Sequence, residues 1–195
     1  MGSVVVAEHQ TAGRGRRDRG WEAPPGTALL ASIVLKPSPL LSLAAGVAAA
    51  RACGDRIRLK WPNDLLLEGR KVGGILIEVH RQRAIVGIGI NLSWAPPAGA
   101  ALGVEREPLL GRLQAELEAW TAAPAAEILS AWRNLSDTLG RSVRVELPSG
   151  AIEGVAEDVD LDGALLVSGH RVAAGDVIYL RAREDAAAPR PSGPE

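Results

Sequence analysis

The hydrophobic residues of the first 95 positions fall mainly into short runs, many of them rich in β-branched side chains. These runs predict five strands, at residues 4–7, 27–36, 57–61, 72–79 and 84–91. The turns between the last three runs are short, and residues 65–68 are expected to form a hairpin with the run that follows Lys71. Because short turns join antiparallel strands, we expect a mixed, mostly antiparallel sheet.

Three further segments have the pattern of helices. An apolar run lies between Ser38, a candidate N-cap followed by Pro39, and Gly54, and it predicts a buried helix of about four turns. Apolar residues three or four positions apart predict two amphipathic helices, at residues 109–120 and 125–139. Strands and helices together predict an α+β fold for residues 1–140.

The pattern changes after Gly140. Alternating hydrophobic positions predict a small all-β module, residues 141–183, with strands at residues 143–147, 152–159, 165–167 and 177–180. A module of about forty residues buries little apolar surface alone, so we expect it to dock on the larger domain. The last segment, residues 184–195, contains mainly Ala, Pro, Gly and charged residues, and it is expected to be disordered.

Composition and charge argue against some classes of function. The 195 residues are 47% hydrophobic and 23% charged, with a net charge of -1, which argues against a basic DNA-binding surface. The longest apolar run, residues 40–50, is about half of the roughly 20 residues that span a bilayer. The single cysteine, Cys53, is expected to be buried and without chemistry, and no signal peptide opens the chain. We therefore expect a cytoplasmic protein with no DNA or membrane partner.

A glycine- and arginine-rich segment, Gly13-Arg14-Gly15-Arg16, follows the first predicted strand. Glycines let backbone N–H groups approach an anion closely, and guanidinium groups bind oxyanions in pairs of hydrogen bonds. The segment therefore suits a phosphate or a carboxylate. Taken alone, such a segment is more often a solvated basic turn or an RNA contact.

Three more segments carry polar side chains, and the last two of them also contain glycines: Lys60-Trp61-Pro62-Asn63-Asp64, Lys71-Val72-Gly73-Gly74 and Gly87-Ile88-Gly89-Ile90-Asn91. Each can be explained singly by a turn, a bulge or tight packing. Strand glycines also leave space in which a flat ligand can lie, and the amide of Asn91 fits the edge of adenine. Four such segments in order within the first 91 residues favour one shared binding site.

The four segments, together with Gln10 and Trp21, resemble the biotin protein ligase family in their order and spacing. The resemblance covers residues 4–139 and implies a class II synthetase-like domain that binds biotin and ATP. Residues 141–183 resemble the small SH3-like β-barrel of that family. The resemblance implies that biotin and MgATP form biotinyl-5'-AMP and that a lysine of a biotin carboxyl carrier domain, from acetyl-CoA carboxylase or a related carboxylase, then takes the biotinyl group. The resemblance leaves open whether the protein forms a homodimer.

The resemblance also implies roles for individual residues. The catalytic residues would be Arg16, Lys71 and Asp64. Biotin or its adenylate would contact Gln10, Arg14, Gly15, Arg16, Lys71, Gly74, Gly87 and Gly89, and the nucleotide would contact Arg16, Trp21, Lys60 and Asn91. Cationic groups and Mg²⁺ would stabilise charge at the α-phosphate, with no metal ligand assigned to the protein. Asp64 would orient the acceptor amine or, alternatively, bind the Arg16 loop.

The sequence departs from the family pattern ahead of Gln10. No winged-helix segment precedes it, so we expect no operator binding, and a Ser-Thr-Asn/Gln segment that supplies hydroxyls to the biotin ureido ring is missing. We therefore expect an N-terminally incomplete or misassigned start. Two alternatives stay open: a lipoate or octanoate ligase of the same fold, and a non-catalytic module whose basic loop binds RNA or a protein.

Overall fold

The computed structural model describes residues 2–148 and 150–180, except for the side chain of Asp18. The segment expected to be disordered, residues 184–195, lies outside this part of the chain. Within it, no helix combines the length and the apolar composition needed to cross a membrane.

The larger sheet has six strands, and each hydrogen-bonded pair of neighbours is antiparallel. The strands are β1 (Val4–Ala7), β2 (Ala28–Leu35), β3 (Ile57–Lys60), β4 (Asp64–Leu67), β5 (Arg70–His80) and β6 (Arg83–Asn91). Their spatial order is β1-β2-β6-β5-β4-β3. The mostly antiparallel sheet is therefore confirmed, and so is the expected hairpin, formed by β4 and β5.

Three helices follow the α+β prediction but differ from it at their ends. They are α1 (Leu41–Cys53), α2 (Arg106–Ala122) and α3 (Ala125–Leu135). The predicted start of α1 at Ser38 was wrong: the Ser38 carbonyl accepts from the N–H of Leu41 in a turn, and the N-cap is Leu40. The predicted extension of α3 to residue 139 was also wrong, because the Ser136 hydroxyl accepts from two following N–H groups and forms a turn.

One face of the sheet is buried against α1, and the other face is open to the candidate site. Alanines dominate the buried surface of α1, including Ala44, Ala45, Ala48 and Ala49, and they allow close approach. Cys53 lies at the end of this helix, where burial raises its pKa to about 12. The thiol therefore stays protonated at neutral pH.

The C-terminal module is a five-stranded antiparallel sheet with the order β10-β9-β8-β7-β11. Its strands are β7 (Ser142–Leu147), β8 (Gly150–Val159), β9 (Leu165–Val167), β10 (His170–Val172) and β11 (Asp176–Tyr179). The sequence pattern missed β10, which has three residues and buries one side chain, Val172. As expected, the module docks on the larger domain: the indole N–H of Trp61 donates to the Gly163 carbonyl, and Arg133 pairs with Asp158.

Candidate active site

The open face of the six-stranded sheet forms the floor of a cavity of about 290 Å³. This volume is near the lower end of small-molecule sites, which span about 300 to 1,000 Å³. The predicted site residues that line the cavity are Gln10, Arg14, Gly15, Arg16, Trp21, Lys60, Asp64, Lys71, Gly74, Gly87 and Gly89. The fold thus brings together residues from four separate segments of the sequence.

Asn91 is the predicted site residue that does not line this cavity. Its side chain is 3% exposed, and its amide donates to the Ala100 carbonyl at 3.1 Å. In this position the amide fixes the loop that follows β6. The proposed contact between Asn91 and adenine therefore stays a prediction.

Trp21 fills part of the space above the strand glycines. A Cβ atom on Gly89 would lie 2.7 Å from the indole ring, and one on Gly74 would lie 3.6 Å from it. Gly87 has no indole atom near it, and the close contacts of a Cβ atom there would all be with Leu76. The indole of Trp21 therefore packs on Gly89 and Gly74, where a flat ligand was expected. No indole atom covers Gly87.

The indole N–H of Trp21 is buried but has no hydrogen-bond partner within the described residues. Among the buried side-chain polar atoms of those residues, it is the one that lacks a partner. An unpaired buried donor is costly, by about 1 to 3 kcal/mol. The N–H is thus a donor that a bound molecule can satisfy.

Asp64 and Lys71 form an ion pair at the edge of the cavity. Their carboxylate oxygen and ammonium nitrogen are 2.6 Å apart, because Asp64 begins β4 and pairs across the hairpin with Gly74, close to Lys71. The alternative role considered for Asp64, binding the Arg16 loop, is taken by its neighbour: Asn63 Oδ1 accepts from Arg16 Nη1 at 3.3 Å. Asp64 thus forms an ion pair with the Lys71 ammonium group, and its charge also acts on the Arg16 guanidinium.

Two more cations lie at the cavity and are partly withdrawn from water. Burial lowers the pKa of Arg16, and the nearby carboxylate of Asp176 opposes this shift. Burial likewise lowers the pKa of Lys60, with Asp64 opposing the shift. Together with Lys71, these groups provide positive charge in a water-poor site, which favours an anionic ligand.

Backbone hydrogen bonds between its two ends close the loop that carries the arginines. Gly15 N–H donates to Arg19 O at 2.6 Å, and Trp21 N–H donates to Gly13 O at 3.0 Å. Between them Arg16–Asp18 forms a short 3-10 turn in which Arg17 has a φ of 53°. Arg14 points to the rim, where it pairs with Glu78 at 2.7 Å and its side chain is 68% exposed.

Two polar residues at the site, Ser32 and Asp176, were not predicted from the sequence, and Asn63 was recognised as part of the Lys60-to-Asp64 segment without a role of its own. Ser32 is the hydroxyl residue among the described residues that line the cavity, and it pairs across the sheet with Gly87. Ser32 lies two residues from Leu30 on β2, so the two share a face and pair with Gly87 and Gly89 of β6, a relation that appears only once the strand register is known. Asp176 comes from the C-terminal module, and nothing in the sequence connects it with a loop that lies 160 residues earlier.

Comparisons with known proteins agree with this geometry. Residues 1–94 match the biotin/lipoate A/B protein ligase family, and residues 138–179 match the biotin protein ligase C terminal domain. A biotin--[acetyl-CoA-carboxylase] ligase from Mycobacterium tuberculosis is 39% identical, and the alignment covers 92% of this chain and 80% of that protein. The chain belongs to the biotin protein ligase family.

Two further relatives support the family assignment. A biotin protein ligase from Aquifex aeolicus, solved in complex with biotin and ATP, superposes with a TM-score of 0.77 at 26% identity and covers 92% of this chain and 89% of that chain. The bifunctional ligase/repressor of Escherichia coli is 32% identical over 85% of this chain, and the alignment spans 61% of that protein. The mixed α+β fold with antiparallel sheets is the fold of the solved biotin protein ligases.

Proposed function

We propose that this protein catalyses ATP-dependent biotinylation of a lysine on a biotin carboxyl carrier domain, with biotinyl-5'-AMP as the intermediate. The observation that carries the proposal is the single cavity that collects the arginine loop, the Lys60-to-Asp64 segment and the glycines of β5 and β6. The named relatives include biotin--[acetyl-CoA-carboxylase] ligases and a ligase solved with biotin and ATP.

In the first step the biotin carboxylate attacks the α-phosphate of ATP, and pyrophosphate leaves. Both reactants are anions, so the site must reduce their repulsion and stabilise the charge that develops on the phosphoryl oxygens. Arg16 and Lys71 are the groups we assign to this task, with Lys60 binding the nucleotide. Gln10, Arg14, Gly15 and the floor glycines would hold biotin.

Mg²⁺ belongs to this proposal as a partner of ATP. The described part of the chain contains no group of three acidic, histidine or cysteine side chains suited to hold a metal ion. Mg²⁺ commonly keeps water ligands and binds substrate phosphates with only one or two carboxylates, and Asp64 and Asp176 are carboxylates that line the cavity. When bound, the ion supplies further positive charge to the phosphates.

In the second step the acceptor lysine, as a free amine, attacks the biotinyl carbonyl carbon of the mixed anhydride. An amide bond forms, the acyl–phosphate bond breaks, AMP leaves, and the amine loses a proton. Asp64 lies at the cavity and already holds an ammonium group, that of Lys71, at 2.6 Å. We assign to Asp64 the orientation of the acceptor amine. The carrier-domain partner and the cytoplasmic location follow from the substrates of this reaction.

The domain division is also part of the proposal: a catalytic domain at residues 1–140 and an SH3-like barrel at residues 141–183. It is supported by the match of the C-terminal family domain to residues 138–179 and by the separate five-stranded sheet. The short strands β10 and β11 form the two ends of that sheet.

A biotin-dependent exchange of labelled pyrophosphate into ATP tests the first step. Exchange should appear with biotin and should be absent with lipoate or octanoate at equal concentration. Exchange that follows lipoate or octanoate instead would assign the chain to the other acyl substrates. No exchange with any of the three acids would contradict the proposed activity.

A further inference from the structure

Strand β11 of the C-terminal module borders the candidate active site. Asp176 and Val177 line the same cavity as Arg16 and Lys71, although they are contributed by the other sheet. We infer that β11 is a positioning element of the active site, with Asp176 holding Arg16 and Tyr179 holding Lys60. This inference rests on the proposed function and adds two positioning residues to it.

The contacts of Arg16 show how the first cation is held. Its Nη1 atom lies 3.1 Å from the Gly175 carbonyl oxygen, 3.3 Å from Asp176 Oδ1 and 3.3 Å from Asn63 Oδ1. Two of these three acceptors belong to the C-terminal module. Among the described side chains, which do not include that of Asp18, the contacts of the Arg16 guanidinium are all made through Nη1, and a guanidinium anchored through one nitrogen has further donors for an anion in the cavity.

Asp176 also organises the rest of the arginine loop. Its second carboxylate oxygen pairs with Arg19 and lies 3.5 Å from Arg17. Arg17 in addition donates to the backbone carbonyl of Glu146 at 2.8 Å. Three guanidinium groups within four residues repel one another, and the Asp176 carboxylate, whose side chain is 22% exposed, lies within ion-pair distance of all three. Loss of this carboxylate should therefore release the loop.

Tyr179 holds the second cation through its ring. The ammonium nitrogen of Lys60 lies 4.7 Å from the ring centroid, a cation–π distance, and the guanidinium of Arg141 also lies 4.7 Å from it. The hydroxyl of Tyr179 is 3.3 Å from Thr138 Oγ1. Thr138 is fully buried and accepts from the Trp61 N–H, so the ring is tied to the residue next to Lys60.

These contacts have a kinetic consequence. A cation that is already in place when ATP arrives stabilises the bound phosphates without first being ordered. Removing either positioning residue should raise the KM for ATP and speed the release of biotinyl-5'-AMP. Loss of the Asp176 charge should change the stability of the protein little, because that side chain is partly exposed and lines the cavity.

The Asp176→Asn variant tests the anchor of the arginine loop. Amide hydrogen exchange over residues 13–21 should become roughly tenfold faster than in the wild-type protein, and the KM for ATP should rise roughly tenfold. The matched control is Glu153→Gln, which removes a carboxylate of the same module that pairs with Arg144 at 2.8 Å. Equal exchange in the wild type and Asp176→Asn would overturn the role of Asp176.

A pair of variants at Tyr179 tests the second anchor. Tyr179→Phe keeps an aromatic ring under Lys60 and should retain a KM for ATP near that of the wild type, whereas Tyr179→Leu should raise it about threefold to tenfold. Equal KM values for the two variants would overturn the role of the ring.

The amide hydrogen exchange measurement separates this inference from the proposed function. Loop exchange reports on Asp176 whether or not the enzyme turns over. A wild-type protein that makes no biotinyl-5'-AMP would refute the function and leave the exchange result to decide the role of Asp176. A wild-type protein that makes it, with Asp176→Asn unchanged in exchange and KM, would refute the inference alone.

Discussion

The ammonium group of Lys71 lies near two side chains, those of Asp64 and Trp21. It pairs with Asp64 at 2.6 Å, and its ammonium nitrogen lies 6.0 Å from the Trp21 ring centroid. Its side chain is 45% exposed, so it remains accessible to an anion in the cavity. In the proposed reaction that anion is the α-phosphate, and the three N–H donors of the ammonium group allow Lys71 to bind it while it also contacts Asp64.

The Lys71→Ala variant should lose adenylate formation by at least about tenfold, because one cation beside developing negative charge is worth roughly 2 to 4 kcal/mol in a water-poor site. Biotin-dependent pyrophosphate exchange measures the loss. Lys36→Ala, at an exposed position after β2, is the control and should exchange at the wild-type rate. Wild-type exchange in Lys71→Ala would remove this residue from the mechanism.

The Arg16→Gly variant should release biotinyl-5'-AMP roughly tenfold faster or more, because it removes charged hydrogen bonds to the intermediate. Lysines of bystander proteins should then become biotinylated as well as the carrier. The dissociation rate of the adenylate is the measurement, and Arg81→Gly is the control, since Arg81 is exposed and already has a φ of 55°. An unchanged dissociation rate would contradict the assigned role.

Individual residues were predictable where chemistry and spacing coincide in one segment. Lys71, Arg16 and the floor glycines belong to segments whose residue types already suggest anion and ligand binding, and the structure places them at one cavity. Asn91 was assigned to adenine by its amide and by the family resemblance; in the structure its amide donates to the Ala100 carbonyl, and the assignment stays a prediction. Ser32 was overlooked because a serine in a hydrophobic strand becomes informative only when its cross-strand partner, Gly87, is known.

At the scale of the elements, β5 and β6 are adapted to carry a flat group on one face. A Cβ atom on Gly89 would lie 2.7 Å from the Trp21 ring, whereas one on Gly87 would meet its nearest atom, the Leu76 carbonyl oxygen, at 3.6 Å. The two glycines lie on the same face, two residues apart, yet the space above them differs.

The Gly89→Ala variant should lose about 1 to 3 kcal/mol of the free energy of unfolding, because the bulky indole of Trp21 and its loop must move. Gly87→Ala is the matched control, because its methyl group would make only ordinary van der Waals contact, with Leu76. The free energy of unfolding of this variant should stay close to that of the wild type. Urea unfolding of the two variants measures the difference. Equal stability would show that Trp21 does not depend on the close fit to Gly89.

The elements were predicted well where apolar residues recur at a regular spacing, as in the central strands and at the buried Leu109, Leu113 and Leu117 of α2. Their ends were predicted less well, because capping depends on local hydrogen bonds that residue types only suggest. Ser38 and Pro39 have the residue types of a helix start, yet the chain makes a turn there and α1 begins at Leu41. Strand β10 is too short for its alternation to stand out.

The C-terminal module meets the larger domain through polar contacts, two of which involve the active-site segments through Trp61 and Arg16. Trp61 donates to Gly163, Arg16 pairs with Asp176, and Arg133 of α3 pairs with Asp158 of β8. These partners lie between 25 and 160 positions apart in the sequence. The sequence analysis therefore predicted that the module docks but not which residues make the contact, because no local pattern encodes such distant pairs.

The Arg133–Asp158 contact predicts how stability depends on pH. Hydrogen bonds from Arg133 hold the pKa of Asp158 below its ordinary value of 3.8. Since the pKa is lower in the folded state, the stabilisation is present above the unfolded-state pKa and is lost as the pH falls through the folded-state value. Wild type and Asp158→Asn should therefore differ in free energy of unfolding at neutral pH and converge toward pH values of about 3 and below.

Urea unfolding at several pH values measures this convergence. Because the variant lacks only this carboxylate, the difference between the two proteins isolates its contribution from that of other acidic groups. A difference that stays constant from neutral pH to acid would show that the pair does not couple α3 to β8 through the charge of Asp158.

The central claim is that the cavity activates biotin and passes it to a carrier lysine. The most direct measurement is the intact mass of a biotin carboxyl carrier domain after incubation with the protein, biotin and MgATP. The account predicts the addition of one biotinyl group to the carrier lysine, dependent on ATP and lost with Lys71→Ala. An unchanged carrier mass, under conditions in which a known biotin protein ligase modifies the same domain, would contradict it.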